Sequence, residues 1–162
     1  MPRRLRHLGR LLPLPVAALV LAGCGSSAPP EVTFAAGQES AVAGPTQYCD
    51  ITLSDCKGDP EAPVRLAVPV GTALTVTVPQ DIAETPWQVV FTYRDPSGTQ
   101  TDGRSPVFAP NAQKDYTLEL PAPNDRLVTA QVQQYGPPPQ ADPETGEIEF
   151  PIRASWVLNT TG

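Results

Sequence analysis

The chain has 162 residues, 40% of them hydrophobic and 17% charged, with 21 prolines, one histidine and a formal net charge of −6. That length suits a single domain able to bury about two thirds of its unfolded surface. The only histidine, His7, and the only methionine, Met1, both lie in the first ten residues. A domain that sheds its leader therefore has no imidazole or thioether, which excludes Ser-His-Asp and Cys-His triads, histidine zinc sites and the usual copper sites.

The chain opens on a basic head, Met1 to Arg10, with Arg3, Arg4, Arg6 and Arg10, followed by an apolar run from Leu11 to Ala22. The run is too short to span a bilayer, and the order of basic, apolar and small residues describes an export signal. Leu21-Ala22-Gly23-Cys24 resembles the bacterial lipoprotein signal. The resemblance implies a diacylglyceryl group on the Cys24 thiol, with palmitate-type chains, and cleavage that removes residues 1–23 as a signal peptide. The alternative is an ordinary secretory signal that happens to contain a cysteine. Processing leaves 139 residues and takes away four arginines, so 7 basic residues face 17 acids and the net charge becomes −10. Such a domain repels nucleic acid and anionic headgroups, so no nucleic-acid partner is expected. Membrane contact then falls to the lipid, since two or three buried chains at about 0.8 kcal/mol per methylene anchor stably.

Residues 24–30 are small, polar and proline-terminated, a tether reaching about 20 Å if fully extended. From Glu31 to Gly162 the pattern is that of one domain with period two and β-branched enrichment. Val32 and Phe34 start a short strand, Val64, Leu66 and Val68 another, and Leu74, Val76 and Val78 the clearest of the early ones. Trp87, Val89, Phe91 and Tyr93 share a face, and Asp95-Pro96-Ser97-Gly98 supplies turn chemistry directly after them. Tyr116, Leu118 and Leu120 alternate in the next strand, and Val128, Ala130 and Val132 in the one after. Gly136 to Gly146 reads as a proline-rich, acidic, mobile hairpin loop. Ile148, Phe150, Ile152, Ala154, Trp156 and Leu158 line one face of a last strand, where Pro151 marks a bulge or an edge. The fold class is all-β: seven or eight strands with turns roughly every ten residues, as in an antiparallel two-sheet sandwich. Trp87 on a central strand resembles the buried tryptophan of immunoglobulin-like domains, without their inter-sheet disulfide.

Few residues offer chemistry. Cys49 and Cys56 remain once Cys24 is lipidated, and two cysteines in an exported domain are expected to form a disulfide. Asp50, Asp55, Asp59 and Glu61 form one oxygen-rich cluster, and Asp95, Ser97, Thr99 and Asp102 another. Neither has the glycine and glutamate positions of an EF-hand, so Asx-type turns are expected and no metal. Seventeen acids offer many pairs for glycosidase chemistry and single out none. Trp87 and Trp156 fall in phase with apolar faces and are assigned to the core, whereas Tyr48 and Tyr135 sit beside turns and are expected to be exposed. Asn159-Thr160-Thr161 matches a glycosylation acceptor at an end expected to fray.

Several segments resemble an actinobacterial lipoprotein family catalogued as a domain of unknown function, number 2771. They are Gly44-Pro45-Thr46-Gln47-Tyr48-Cys49-Asp50 with Cys56, Glu84 to Phe91, Asp102-Gly103-Arg104-Ser105-Pro106-Val107-Phe108, and Val132 to Gly136. The resemblance covers most of residues 31–158, includes the cysteine pair, and implies an envelope lipoprotein without assigning an activity. It draws attention to Arg104, in a turn-like motif, as either a binding contact or the partner of an acid that pins the loop, the second being favoured. The expectation is a lipid-anchored, non-catalytic binding or scaffolding module on the outer face of the cytoplasmic membrane, without a cofactor, meeting an envelope protein or polymer. A small-ligand carrier or sensor is the alternative, and a carboxylate hydrolase acting on cell-wall polymer a remote one.

Overall fold

Alternation of apolar and polar residues writes most of the strands directly into the chain. The computed structural model describes residues 28–141, 144–146 and 148–161; the leader, Cys24 and the tether as far as Ser27 lie outside them. Strand β1 (Val32–Ala36) buries Val32, Phe34 and Ala36, then turns through Gly37, whose positive φ suits a residue without a Cβ, into β2 (Glu39–Ala43). Strands β3 (Gln47–Cys49) and β4 (Cys56–Gly58) pair with Cys49 opposite Cys56. After β5 (Val64–Ala67) comes β6 (Leu74–Thr77), which buries Leu74 and Val76. Pro79 then opens a single helical turn, α1 (Gln80–Ala83), which buries Ile82 and Ala83.

Strand β7 (Trp87–Arg94) enters the Asp95–Gly98 turn, where the Asp95 carboxylate accepts hydrogen bonds from the Ser97 hydroxyl (2.6 Å) and the Thr99 N–H (2.9 Å). The chain returns as β8 (Gln100–Arg104) and continues through β9 (Asp115–Leu118) and the ten-residue β10 (Arg126–Tyr135). The short pair β11 (Gln140–Ala141) and β12 (Ile148–Glu149) precedes a second ten-residue strand, β13 (Ile152–Thr161).

Two sheets result. One has the order β2-β1-β6-β9; the other runs β4-β3-β13-β10-β7-β8, with β5 lying parallel to the far half of β13. The series β1-β6-β9 against β13-β10-β7-β8 follows the A-B-E and G-F-C-C′ order of immunoglobulin-type sandwiches. Between the sheets, Trp87, Trp156, Phe34, Leu74, Ile82 and Leu158 are fully buried. Removing such aliphatic and aromatic surface from water contributes about 1.5–3 kcal/mol per aliphatic or Phe side chain. The two tryptophans assigned to the core are there: Trp87 packs on Phe108 (ring centroids 4.5 Å apart), and Trp156 donates its indole N–H to the Pro30 carbonyl at 2.8 Å.

The expected strand set needs four corrections. The main sheets hold eleven strands rather than seven or eight, because β2, β3, β4 and β8 were not expected. The last expected strand is broken at Pro151, which has no N–H to continue the ladder. Phe150 consequently turns outward, 60% exposed, and β13 starts at Ile152. The proline-rich segment runs through a hairpin as expected, but with a short ladder of its own that was not expected, β11 pairing with β12 just beyond the segment. The C-terminal Asn159-Thr160-Thr161 is held in β13 between β10 and β5, with the Thr160 hydroxyl bonded to the Leu127 carbonyl at 2.6 Å. Among the described residues, no helix is long and apolar enough to cross a membrane.

Candidate functional site

One end of the larger sheet holds a groove of about 1040 Å³. Its first wall follows from the end of β8. Ser105 is buried; its N–H donates to the Val89 carbonyl (2.8 Å) and its hydroxyl oxygen accepts the Val89 N–H (2.9 Å), so the side chain prolongs the ladder where Pro106 has no N–H. Two residues on, Phe108 exchanges backbone hydrogen bonds with Trp87 and sets its ring between Trp87 and Tyr116. Period two then turns Val107 and Ala109 outward, and Val107 stands 55% exposed on the groove.

The second wall is built where β10 meets β13. The Tyr135 N–H donates to the Pro86 carbonyl (2.9 Å) and the Gly136 N–H to the Pro151 carbonyl (2.8 Å). The Tyr135 ring meets Phe150 edge-on at 6.1 Å. Gly136 admits the neighbouring disulfide loop: a Cβ there would lie 3.3 Å from Leu53 Cδ2. Seven of the residues lining the groove are prolines. Beside it, the outer face of β7, β8 and β10 carries a polar hollow that shares Gln88 and Arg104 with the groove. On the opposite, core-facing side of these strands, the Phe91 ring lies across its cross-strand neighbour Gly103, where a Cβ would clash with it.

Among the described residues, Arg104 supplies the only charge on the groove's lining. It is not the turn residue expected from the motif but the last residue of β8, exposed, and no acid among the described residues pairs with it. Tyr135 is half-buried rather than exposed, and burial raises its phenol pKa while Arg104 draws it down. Tyr48 is also half-buried, beneath Arg153, whose guanidinium lies 5.3 Å from the ring centroid and whose Nε donates to the Cys49 carbonyl (3.1 Å). Below the groove, Trp87 and Gln134 stand opposite each other in the β7–β10 ladder. Gln134 donates to the Asp81 carbonyl (3.0 Å) and the Thr85 hydroxyl (2.9 Å), tying α1 to the sheet, while Gln134 Oε1 and the Trp87 indole N–H have no partner among the described residues.

Cys49 and Cys56 form a disulfide, S–S 2.01 Å. Inside its loop the Asp50 carboxylate accepts hydrogen bonds from the Thr52 hydroxyl (2.7 Å), the Ser54 N–H (2.8 Å) and the Ser54 hydroxyl (2.8 Å), which is Asx-type turn chemistry. Asp59 accepts the Glu61 N–H (2.9 Å), and Asp102 the Thr92 hydroxyl (2.7 Å). Asp50, Asp59, Asp95 and Asp102 thus serve the backbone turns and strand edges beside them, and the described residues hold no group of three or more His, Cys, Asp or Glu placed to hold a metal ion. The groove itself was not legible as a site. Its parts lie far apart in the chain, and the only signal was the recurrence of X-Pro after strand ends.

A family profile described as "Protein of unknown function (DUF2771)" matches residues 26–161. The chain belongs to this family. The DUF2771 domain is also similar to uncharacterized proteins of Mycobacterium bovis and of two Mycobacterium tuberculosis strains, each 29% identical over 117 residues, or 72% of this chain and 68% of theirs. No solved structure matches it.

Proposed function

We propose that this DUF2771 protein is a lipid-anchored, non-catalytic binding module on the outer face of the cytoplasmic membrane, and that the groove is its binding surface. The observation that carries this is the groove's composition: a large apolar concavity with exposed Val107 and Phe150 and, among the described residues, a single charge, Arg104, at one side. Binding sites have this make-up, mostly apolar walls with a few placed polar groups. The lipoprotein-like Leu21-Ala22-Gly23-Cys24 supports the location, and the short tether keeps the groove near the bilayer. A carrier of a small amphiphile fits the same groove; an envelope protein fits its rim.

A photoreactive residue placed at Val107 tests the surface. On intact membranes it is expected to give one dominant crosslinked species, while the same residue at Val42, exposed on the edge strand β2, gives none. Equal, diffuse crosslinking from both positions would remove the groove as the binding surface.

A further inference from the structure

We infer that the groove takes up one acyl chain of a membrane phospholipid, with the lipid phosphate held at Arg104. The inference deepens the binding reading above and rests on its lipid anchor. It stands on where the tether leaves the sandwich, on the chemistry of the walls, and on charge.

The tether leaves at the groove's end. Strand β1 starts level with the end of β6, Thr33 standing opposite Thr77, and β6 continues through Val78 and α1 to Pro86 on the groove's rim. Pro30, just ahead of β1, is held by the indole of Trp156, midway along the strand that begins beside Pro151. Chain preceding Pro30 therefore emerges on the side where the groove opens. The stretch back to Cys24 reaches about 20 Å, so an acylated Cys24 would bring this end to the lipid.

The walls suit a hydrocarbon better than a peptide. Seven prolines contribute no N–H, so a polypeptide laid in the groove would find few donors for its carbonyls, and buried polar groups without partners are costly. An acyl chain has no such groups to satisfy. Leu53, in the disulfide loop, abuts Gly136 and adds an apolar side chain beside this wall.

Charge fixes the other end of the ligand. A guanidinium matches phosphate oxygens in paired hydrogen bonds, and Arg104 has no acid partner among the described residues to compete for them. The mature domain's net charge of −10 repels an anionic bilayer elsewhere, so Arg104, the one cation among the described lining residues, marks the side that can approach.

The processed full-length protein, reconstituted into phosphatidylglycerol vesicles doped with a phospholipid carrying a diazirine near the end of one acyl chain, tests this. After irradiation, adducts are expected on Val107, on Tyr135 to Pro139 or on Phe150. Arg104→Gln is expected to lower them about tenfold, the loss of one charge-assisted contact, and Val107→Asp to lower them as well. A diacylglycerol bearing the same chain, which lacks the phosphate, should label the wild type as weakly as the phospholipid labels Arg104→Gln. Adducts confined to the tether, spread evenly over the surface, found mainly on a copurifying protein, or unchanged in Arg104→Gln would overturn the inference. Flotation of the same sample separates the two claims. Protein that floats without groove adducts loses only the phospholipid site, whereas protein that fails to float loses the anchor and the inference with it.

Discussion

Asp50 shows how a single carboxylate organises a loop that no apolar residue can. It accepts bonds from the Thr52 hydroxyl first and then from Ser54, and these hold its pKa well below the ordinary 3.8. A depressed pKa means stability that is present above the unfolded value and lost as pH falls through the folded one. The 49–56 loop should therefore keep its shape down to pH 3.8 and loosen only below it. Following the Asp50 carboxyl carbon by NMR checks this: the midpoint is expected well under 3.8, and an ordinary midpoint would show that the turn does not hold the charge. Arg104 makes the complementary point. Its residue type was noticeable in the sequence, but its place at the end of β8 beside the groove was not, because the groove's walls come from distant segments of the chain.

At the scale of elements, the legible strands are those with one face on the core and the other turned away from it. β1, β6, β7, β9, β10 and β13 carry alternating apolar residues because one face of each meets the core. β8 has the sequence QTDGR and is largely exposed, so it has no period-two signal; it exists because β7 pairs with it. β3 and β4 are three residues each, held by the disulfide and by their own pairing. Faces went astray at irregularities of register. Between Gln134 and Tyr135 the partner in β13 jumps from Ala154 to Ile152, leaving Arg153 as the extra residue and aiming it at Tyr48 and Cys49. A second shift, between Leu127 and Thr129, leaves Val128 out of phase with buried Ala130 and Val132.

The disulfide closes a short ring, and in the chain-entropy model such a ring contributes roughly 2–3 kcal/mol. The double variant Cys49→Ser/Cys56→Ser is expected to lose that much in denaturant unfolding while keeping its β spectrum. An unchanged midpoint would mean that β3, β4 and the Asp50 turn hold the corner without it.

For the whole molecule, an immunoglobulin-type sandwich supplies rigidity and leaves its loop ends free to carry a surface. Here the loop end between β7, β8, β10 and β13 became an apolar groove, and the strand order brings the start of the domain to that same end. All-β architecture and the core tryptophans could be read from alternation alone. The groove could not, because it joins Pro86, Val107, Tyr135 and Phe150 from four separate connections. The proposed function rests on lipid at Cys24, which makes fractionation of cells expressing Cys24→Ser beside the wild type the most direct measurement. Wild-type protein is expected in the membrane pellet and the variant in the soluble extracytoplasmic fraction; a variant that stays with the membrane, or a wild type found soluble in the cytosol with residues 1–23 still attached, would contradict the account.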